Sequence, residues 1–408
     1  MASAAMANLF AGLKESLTFD GPDIDTWVYK FYSRATVGIF FSAAAACVFS
    51  EIVGTAIKCK DKDETGYDET WCYLHGIEHL TPGKISQEMS GGNNCISTTE
   101  KISNYYLWIP LVLFLCGGAF TIPNEIWKHV EGGLIKQFEG LKIMELEKDT
   151  RKKLAEQFKN VSNHFTKRYF FTFVFFEVVY FFLGIVVFHL LDVFLDGKFK
   201  TYGQDVIDYI NGNAQEYHYS IKDQQRSHKM TVNPMCNVFP TVVSCTITTY
   251  SVVGDAPDVK NKACILGQNI MNQGIFLILW FWFMILFCVT ACQIIYRITT
   301  MLVPSFQETT IQYQLKTKDE DMLRAIKKLK LGFGNAGNWF LLTQIGGNAD
   351  PYAFRMFIEE VSGVTRSAER VKKEEERKKK TKDDLCIHSS NGTELEEIEK
   401  GERKQSPN

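Results

Sequence analysis

The stretch from Tyr105 to Lys128 constrains this chain more than any other, because it is long and apolar enough to cross a lipid bilayer. About 20 apolar residues at ~1.5 Å rise per residue cover the ~30 Å hydrocarbon core. Aromatic residues cluster at both of its ends, with Trp127 at one of them, where such rings favour the head-group level. Pro110 cannot donate a hydrogen bond to the carbonyl of Tyr106, so the sequence predicts a kink at Pro110.

Three further apolar blocks bring the predicted membrane spans to four, at residues 35–57, 105–127, 169–195 and 275–296. The mean hydropathy of -0.10 hides these blocks because long polar segments separate them. Residues 58–104 carry five Lys and no Arg, whereas residues 128–168 carry ten Lys or Arg. The positive-inside rule therefore predicts that 128–168 is a cytoplasmic loop and that 58–104 and 196–274 are extracellular loops. Four spans then leave the N- and C-termini in the cytoplasm.

The predicted cytoplasmic segments differ in composition. Residues 1–34 show the pattern of a short amphipathic helix, and residues 297–365 that of a helical domain. Residues 366–408 are rich in charge and poor in apolar residues, which predicts a disordered tail. A further amphipathic helix is predicted within 128–168, from Leu154, Phe158, Val161 and Phe165. The predicted fold class is an all-α membrane protein, a four-transmembrane-helix bundle with disulfide-linked extracellular loops containing short β-strands and a helical cytoplasmic domain.

Six of the eleven cysteines lie in the two predicted extracellular loops, where disulfides persist. Three fall in each loop, and together they are Cys59, Cys72, Cys95, Cys236, Cys245 and Cys264. Six cysteines allow many pairings, and the sequence does not choose among them. The positions of Cys59 and Cys264, each next to a span, suit an antiparallel hypothesis in which Cys59 pairs with Cys264, Cys72 with Cys245 and Cys95 with Cys236.

Ionisable side chains inside predicted spans are functional candidates, because burying a charge in lipid is costly. Glu51 lies near the outer end of the first span, where it either reaches water by snorkelling or faces a water-filled pore. For Glu177 in the third span, the preferred interpretation is a structural hydrogen bond to a neighbouring helix.

Motifs for catalysis and for cofactor binding are absent from the sequence. It contains no phosphate-binding loop, no HExxH and no GxSxG, so we predict neither an enzyme nor a bound cofactor. His75 and His79 are spaced four apart, but they lack a third ligand, and no metal site is predicted there.

The order of residues around the second span, YYLWIP followed by IPNEIWK and EGG, strongly resembles the innexins, the four-span invertebrate gap-junction family. Other segments similar to innexins occur in the expected order, namely DGKFKTYGQDVI (Asp196 to Ile207), LWFWF (Leu279 to Phe283) and GNWFLLTQIGGNADPYAFRMFI (Gly337 to Ile358). The resemblance covers the chain from Asp25 to about Val361.

This resemblance implies a homo- or hetero-oligomeric ring of innexin subunits, octameric in the family, that forms a hemichannel in the plasma membrane. Two hemichannels on adjacent cells would dock through their outer loops and pass ions and small metabolites. The resemblance also implies that residues 1–34 form a funnel at the pore mouth, which makes Asn8 and Glu15 pore-lining candidates beside Glu51. For a channel, the predicted kink at Pro110 becomes a candidate gating element. Membrane lipids are expected partners, and nucleic acid is not.

Two alternatives remain open. The nearer one is a pannexin-like hemichannel that never docks and releases small solutes. The other is a four-span adhesion or scaffold protein without a conducting pore. The predicted extracellular loops contain no N-glycosylation sequon, and a bare outer face suits close contact with another protein.

Overall fold

Long helices and a small β-sheet form the framework of the chain. The computed structural model describes residues 23–53, 56–60, 67–81, 95, 97–99, 101–143, 147–162, 165–213, 215–220, 227–249, 258–316, 319–329 and 335–363. These residues form two compact units, which we call the span unit and the helical unit. The span unit contains the described residues from 24 to 132 and from 172 to 297. The helical unit contains those from 133 to 171 and from 298 to 363, together with Asp23.

Four helices are long and apolar enough to cross a membrane, as the hydropathy of the sequence predicts. We number these span helices 1 to 4, and they cover Trp27–Ser50, Ile109–Glu131, Phe165–Phe194 and Gln268–Leu302. The shortest has 23 residues, enough at ~1.5 Å per residue to exceed the ~30 Å hydrocarbon core. Several of these helices extend beyond the predicted spans, because a helix can continue its backbone hydrogen bonds through residues of low hydropathy. Span helix 4 ends only at Leu302, shortly before Pro304, which disfavours helix in the residue preceding it.

Span helix 1 begins at Trp27 rather than near residue 35. Thr26 caps it, because its side-chain oxygen accepts a hydrogen bond from the backbone N–H of Tyr29 at 3.4 Å. The chain then passes through a π-helical turn, Phe31–Thr36, and continues as the α-helix Val37–Val53. Basic residues in the first turns lower the local hydropathy, which is why the apolar pattern alone placed the start too late.

Span helix 2 consists of two segments, Ile109–Ala119 and Ile122–Glu131. Pro110 lies in the first turn of the first segment, where the missing N–H removes no intrahelical hydrogen bond. This corrects the prediction of a kink at Pro110, because the proline lies at the start of a helix instead of interrupting one. The interruption of span helix 2 precedes Pro123, which lies in the first turn of the second segment.

Aromatic side chains fill the space between the span helices. Trp127, which was expected at the head-group level, is instead fully buried, and its ring lies 5.0 Å from that of Phe173. Tyr29 of span helix 1 stacks on the same Phe173 ring at 5.4 Å and meets Tyr180 edge on at 4.7 Å. Amphipathic rings can occupy the head-group level, but burial against other rings removes more of their surface from water. Trp127 is thus a core residue of the span unit.

The two loops predicted to be extracellular contribute to one five-stranded antiparallel sheet. The seven strands in chain order are β1 Ile57–Cys59, β2 Ile77–His79, β3 Ile102–Ser103, β4 Glu216–Ser220, β5 Ser227–Thr231, β6 Val242–Thr249 and β7 Asp258–Leu266. The sheet order is β1-β7-β6-β2-β3, so the hairpin of β6 and β7 from the second loop is flanked by strands from the first. These strands confirm the prediction that the two loops contain short β-strands. Strands β4 and β5 form a separate hairpin.

Shorter helices that the sequence did not predict complete the span unit, and they are Tyr67–His75, Phe199–Ile210 and Pro234–Val238. The second of these packs closely on span helix 4. A Cβ atom at Gly203 would overlap the indole ring of Trp280, so only glycine permits this approach. The Trp280 indole nitrogen donates to the carbonyl of Lys200 at 3.0 Å, which fixes the ring in place.

The helical unit is built from short helices, which are the 3₁₀ helix Ile135–Lys142 and the α-helices Lys148–Val161, Pro304–Leu315, Glu320–Lys328, Ala336–Asn348 and Pro351–Ser362. Helices were predicted within residues 297–365 and at Leu154, and both regions contain helices. Phe357 lies at the centre of the unit and is fully buried. Its ring meets those of Phe138 and Phe158 edge on, at 6.2 and 6.0 Å. The fold class is therefore the predicted one, a mostly helical membrane protein with four span helices and short strands in cysteine-bridged loops.

Candidate functional site

Three disulfide bonds join the loop between span helices 1 and 2 to the loop between span helices 3 and 4. They pair Cys59 with Cys264, Cys72 with Cys245 and Cys95 with Cys236. The pairs are nested along the sequence, so that the bridge nearest the span helices encloses the other two. The bridges make one covalently linked structure of the two loops. We call the described residues of 56–104 and 196–267 the disulfide cap.

Two of the bridges, Cys59 with Cys264 and Cys72 with Cys245, lie in the core of the disulfide cap. Cys59 faces Cys264 across the pairing of β1 with β7. Cys72, on the helix Tyr67–His75, reaches Cys245 in β6. Three of these four cysteines are at most 2% exposed, and they pack with the side chains of Ile57, Ile77, Val243 and Leu266. A disulfide of this kind typically contributes ~2–4 kcal/mol. The cap therefore presents a pre-ordered surface, which lowers the entropy lost when a partner binds.

One group of described sulfur atoms in the disulfide cap has the spacing of metal ligands, but all three are oxidised. The sulfur atoms of Cys59, Cys72 and Cys264 lie within 4.8 Å of one another, a spacing that a metal ion could use. Each of them is in a disulfide, however, and zinc requires thiolates. His75 and His79 lie in different elements, a helix and the strand β2.

Glu177 forms a buried ion pair with Arg297, which joins span helix 3 to span helix 4. The guanidinium donates through Nε to Oε2 at 2.9 Å and through Nη2 to Oε1 at 2.7 Å. This two-point geometry is the strongest form of a carboxylate contact. Gln293 also donates to Oε1 at 2.9 Å. The interpretation of Glu177 as a hydrogen-bonding partner of a neighbouring helix is confirmed, and the partner is a charged one.

The same cluster reaches the start of span helix 1. The Thr26 hydroxyl donates to Oε1 of Glu177 at 3.5 Å. Arg297 lies 5.4 Å above the ring of Phe173, a cation–π geometry. The side chains of Arg297 and Glu177 are only 8% and 10% exposed. A charge pair this deeply buried must stay paired, because a single unpaired charge in lipid or in a protein interior is costly.

Span helix 1 carries further polar anchors. Asp25 pairs with Arg34 at 3.2 Å, and the aspartate side chain is only 2% exposed. The Tyr32 hydroxyl lies 2.5 Å from the Thr290 hydroxyl of span helix 4. The first contact is local to the start of span helix 1, whereas the second holds this helix to span helix 4.

Tyrosine hydroxyls bind carbonyl groups around the break in span helix 2. Tyr180 of span helix 3 donates to the carbonyl of Phe120 at 3.2 Å. Tyr29 of span helix 1 donates to the carbonyl of Pro123 at 3.2 Å. A carbonyl left without a partner within a bilayer costs several kcal/mol, roughly, so a helix break is tolerated where side chains bind the exposed groups. The break is therefore part of the packing among span helices 1, 2 and 3.

The predicted pore-lining residues are not tested by this geometry. Asn8 and Glu15 lie outside the described residues. Glu51 belongs to the helix Val37–Val53, and its side chain is likewise outside the described part. Pro110 lies at a helix start, as shown above. The structure thus brings the six cysteines together in pairs, while the pore-lining candidates stay predictions.

Arg297 and Gln293 are the polar residues that reasoning from sequence missed. Arg297 directly follows the predicted fourth span and resembles an ordinary basic flank. Glu177 inside the third span was the signal in the sequence, because a charge within a membrane almost always has a partner. The base at the end of the fourth span was a candidate for that partner.

Comparison with known proteins finds relatives along most of the chain. Residues 25–364 match the family model described as Innexin. The chain is 28% identical over 370 residues to Innexin inx2 of Schistocerca americana, which covers 88% of this chain and 98% of that protein. It is 29% identical over 375 residues to Innexin inx2 of Drosophila melanogaster, with coverages of 88% and 95%. It is 25% identical over 374 residues to Innexin shaking-B of Drosophila melanogaster, with coverages of 88% and 94%.

Proposed function

The chain belongs to the innexin family, and from that premise we propose that its hemichannels dock between adjacent cells and pass ions and small metabolites. Family membership makes it a gap-junction channel subunit and a multi-pass protein of the plasma membrane, and not an enzyme. The observation that carries the proposal is the family match over residues 25–364, on a structure with four span helices and cysteine-bridged loops. Passage is passive, so pore width and lining charges set the selectivity.

The proposed topology puts the disulfide cap outside the cell and both termini in the cytoplasm. Disulfides persist in the oxidising extracellular space, which supports this orientation. The ten Lys or Arg of residues 128–168 support it independently, through the positive-inside rule. An epitope inserted between residues 82 and 94 should be stained on intact cells, whereas one inserted between residues 144 and 146 should need permeabilised cells. The reverse staining would refute the orientation.

The proposed pore is lined by residues 1–26 and by the outer part of the first span, with Asn8, Glu15 and Glu51 as lining residues. A cysteine substituted at any of these positions should make the current sensitive to a permeant thiol reagent. The parent channel is the necessary control, because Cys288 and Cys292 of span helix 4 are exposed free thiols. Inert positions throughout residues 2–20 in a conducting channel would refute the funnel.

The proposed assembly is a homo- or hetero-oligomeric ring of eight subunits that docks through the disulfide cap. We predict that opening the inner bridge of Cys72 and Cys245, by replacing both with Ser, abolishes junctional conductance. That bridge lies in the core of the cap, and its loss lets the docking surface lose order. Opening the third bridge, Cys95 with Cys236, should reduce the conductance only in part. Surface biotinylation of both variants separates a docking defect from a trafficking defect. Equal conductance in the two variants would contradict the prediction.

Dual whole-cell patch clamp of paired cells that express the chain tests the whole proposal. A junctional current should appear when both cells express it and should be absent when one partner expresses none. Currents confined to single, unpaired cells would instead identify a non-docking hemichannel. Surface delivery without any current would identify an adhesion or scaffold protein.

A further inference from the structure

A cavity of about 670 Å³ opens in the disulfide cap beside the ends of span helices 2 and 3. Its lining includes His79, Lys101, Ser103, Trp108, Asp196 and Lys198. Trp108 directly precedes the first residue of span helix 2, and the lining also includes Phe194, the last residue of span helix 3. The cavity therefore lies where the apolar segments give way to the cap, which is the level of lipid head groups. Its volume is in the range of small-molecule sites, about 300–1,000 Å³.

The described lining carries a surplus of positive charge. Lys101 forms an ion pair with Asp196. Lys198 has neutral acceptors instead, at 3.2 Å from the carbonyl of Asn237 and 3.4 Å from the hydroxyl of Thr99. An ammonium group has three N–H donors, so one donor of Lys198 stays available after these two contacts. Among the described residues, no carboxylate lies within ion-pair distance of Lys198. An anion is the complementary ligand.

His79 contributes a buried polar side chain, one of whose ring nitrogens lacks a hydrogen-bond partner among the described residues. The residue is 5% exposed, and its Nε2 lies 2.8 Å from the hydroxyl of Ser103. Its Nδ1 is buried and has no hydrogen-bond partner among the described residues. Burial, together with Lys198 and Lys101, lowers the pKa of His79 to about 4, so the imidazole is neutral at physiological pH. If Ser103 donates to Nε2, the single N–H of the neutral ring lies on Nδ1, where an unpaired buried donor costs ~1–3 kcal/mol.

We propose that this cavity binds the phosphate-bearing head group of a membrane phospholipid, with Lys101 and Lys198 contacting the phosphate beside the wall that His79 and Ser103 contribute. The apolar side chains at the rim favour a lipid over a soluble anion, since Ile102 is 72% exposed and Trp108 is 53% exposed. These two side chains lie where the glycerol and the upper acyl chains of a bound lipid would pass. The site goes beyond the channel function, because it is a lipid site on the cap side of a single subunit.

Native mass spectrometry of the purified channel in detergent tests the proposal. Three additives are compared: phosphatidylglycerol, a diacylglycerol with the same acyl chains but no phosphate, and inorganic phosphate. The parent channel should retain phosphatidylglycerol at one molecule per subunit and should not retain diacylglycerol. Excess inorganic phosphate should not displace the lipid.

Charge-removing variants locate the bound lipid. Lys198→Gln should weaken phosphatidylglycerol binding about tenfold, a ratio that corresponds to ~1.4 kcal/mol. Lys101→Gln serves as the second variant, because its side chain is half exposed and its replacement leaves the cap core intact. Lys200→Gln is the matched control, since this exposed lysine lies two residues after Lys198, in the first turn of the helix Phe199–Ile210, and is not part of the lining.

Three outcomes would overturn the proposal. Equal lipid retention in the three variants would place the lipid elsewhere. Equal retention of diacylglycerol would show an apolar slot without phosphate recognition. Displacement of the lipid by inorganic phosphate would show that a soluble anion is the ligand.

Discussion

The ion pair between Glu177 and Arg297 gives the sharpest prediction about the span unit. Replacing Glu177 by Gln keeps the side-chain volume but removes the negative charge. The Arg297 guanidinium then stays buried without a counter-charge, since its side chain is only 8% exposed. The substitution also removes the two-point contact between the carboxylate and the guanidinium, with its hydrogen bonds of 2.9 and 2.7 Å. The amide oxygen of the new Gln can still accept a hydrogen bond from Gln293.

The expected cost follows from that geometry. Removing one partner of a buried pair typically costs ~3–5 kcal/mol. Because the amide oxygen of Gln still accepts a hydrogen bond, Glu177→Gln should lower the stability by ~3 kcal/mol, whereas Glu177→Ala should lower it by ~5 kcal/mol. The double variant Glu177→Gln/Arg297→Gln leaves no uncompensated charge and should return to within ~1 kcal/mol of the parent protein, because replacing both partners of a buried pair is often nearly neutral. The exposed pair of Glu125 and Lys128 is the control, and Glu125→Gln should cost less than ~1 kcal/mol.

The assay is unfolding of the purified protein in mixed micelles with increasing sodium dodecyl sulfate, followed by tryptophan fluorescence. Four proteins complete a double-mutant cycle, and its coupling energy measures the pair directly. A coupling energy of ~2 kcal/mol or more supports the reasoning, since the two side chains share one network. A single variant as stable as the parent, or strictly additive single variants, would refute it.

Two further predictions concern stability outside the spans. The pKa of His79 is lowered from 6.5 to about 4 by burial and by two nearby lysines. Between these values the unfolded state binds more protons than the folded state, so stability should fall by up to ~3 kcal/mol as the pH drops from 6.5 to 4. His79→Gln should flatten this pH dependence and the exposed His75→Gln should not, as thermal melts at several pH values will show. Gly337→Ala should destabilise the helical unit, because its Cβ would overlap the backbone of Thr166, whereas Gly347→Ala on the same helix meets open space. Equal melting temperatures for these two glycine variants would contradict the packing.

Features that rest on hydropathy or on residue type were predictable from the sequence. The four spans follow from apolar length, because a bilayer leaves a helix little alternative. The set of bridged cysteines follows from the predicted topology, since the three in each predicted extracellular loop are the ones expected to lie outside the reducing cytoplasm. The nested pairing in the structure also agrees with simple geometry. Cys59 and Cys264 each flank a span, and β1 and β7 pair at that point.

Features that depend on tertiary contacts were not predictable from the sequence. The sequence contains two prolines in the second span, and nothing local shows that Pro110 starts a helix while Pro123 follows a break. The difference lies in the hydroxyl of Tyr180, which is distant in sequence and binds the carbonyl of Phe120 next to the break. The partner of Glu177 was hidden in the same way, because 120 residues separate it from Arg297.

Span helix 1 is held to span helix 4 near both of its ends, and this limits how the channel can gate. At one end the bridge of Cys59 with Cys264 joins the chain after span helix 1 to the strand before span helix 4. At the other end Thr26 contacts Glu177, the partner of Arg297. If span helix 1 tilted alone, it would have to break one of these attachments. The residues before Thr26 come ahead of both attachments in the chain, so their movement need break neither. We therefore expect gating to change the thiol-reagent accessibility of cysteines placed before Thr26 more than that of cysteines placed in residues 37–53. Larger changes within 37–53 would show that the helix itself moves.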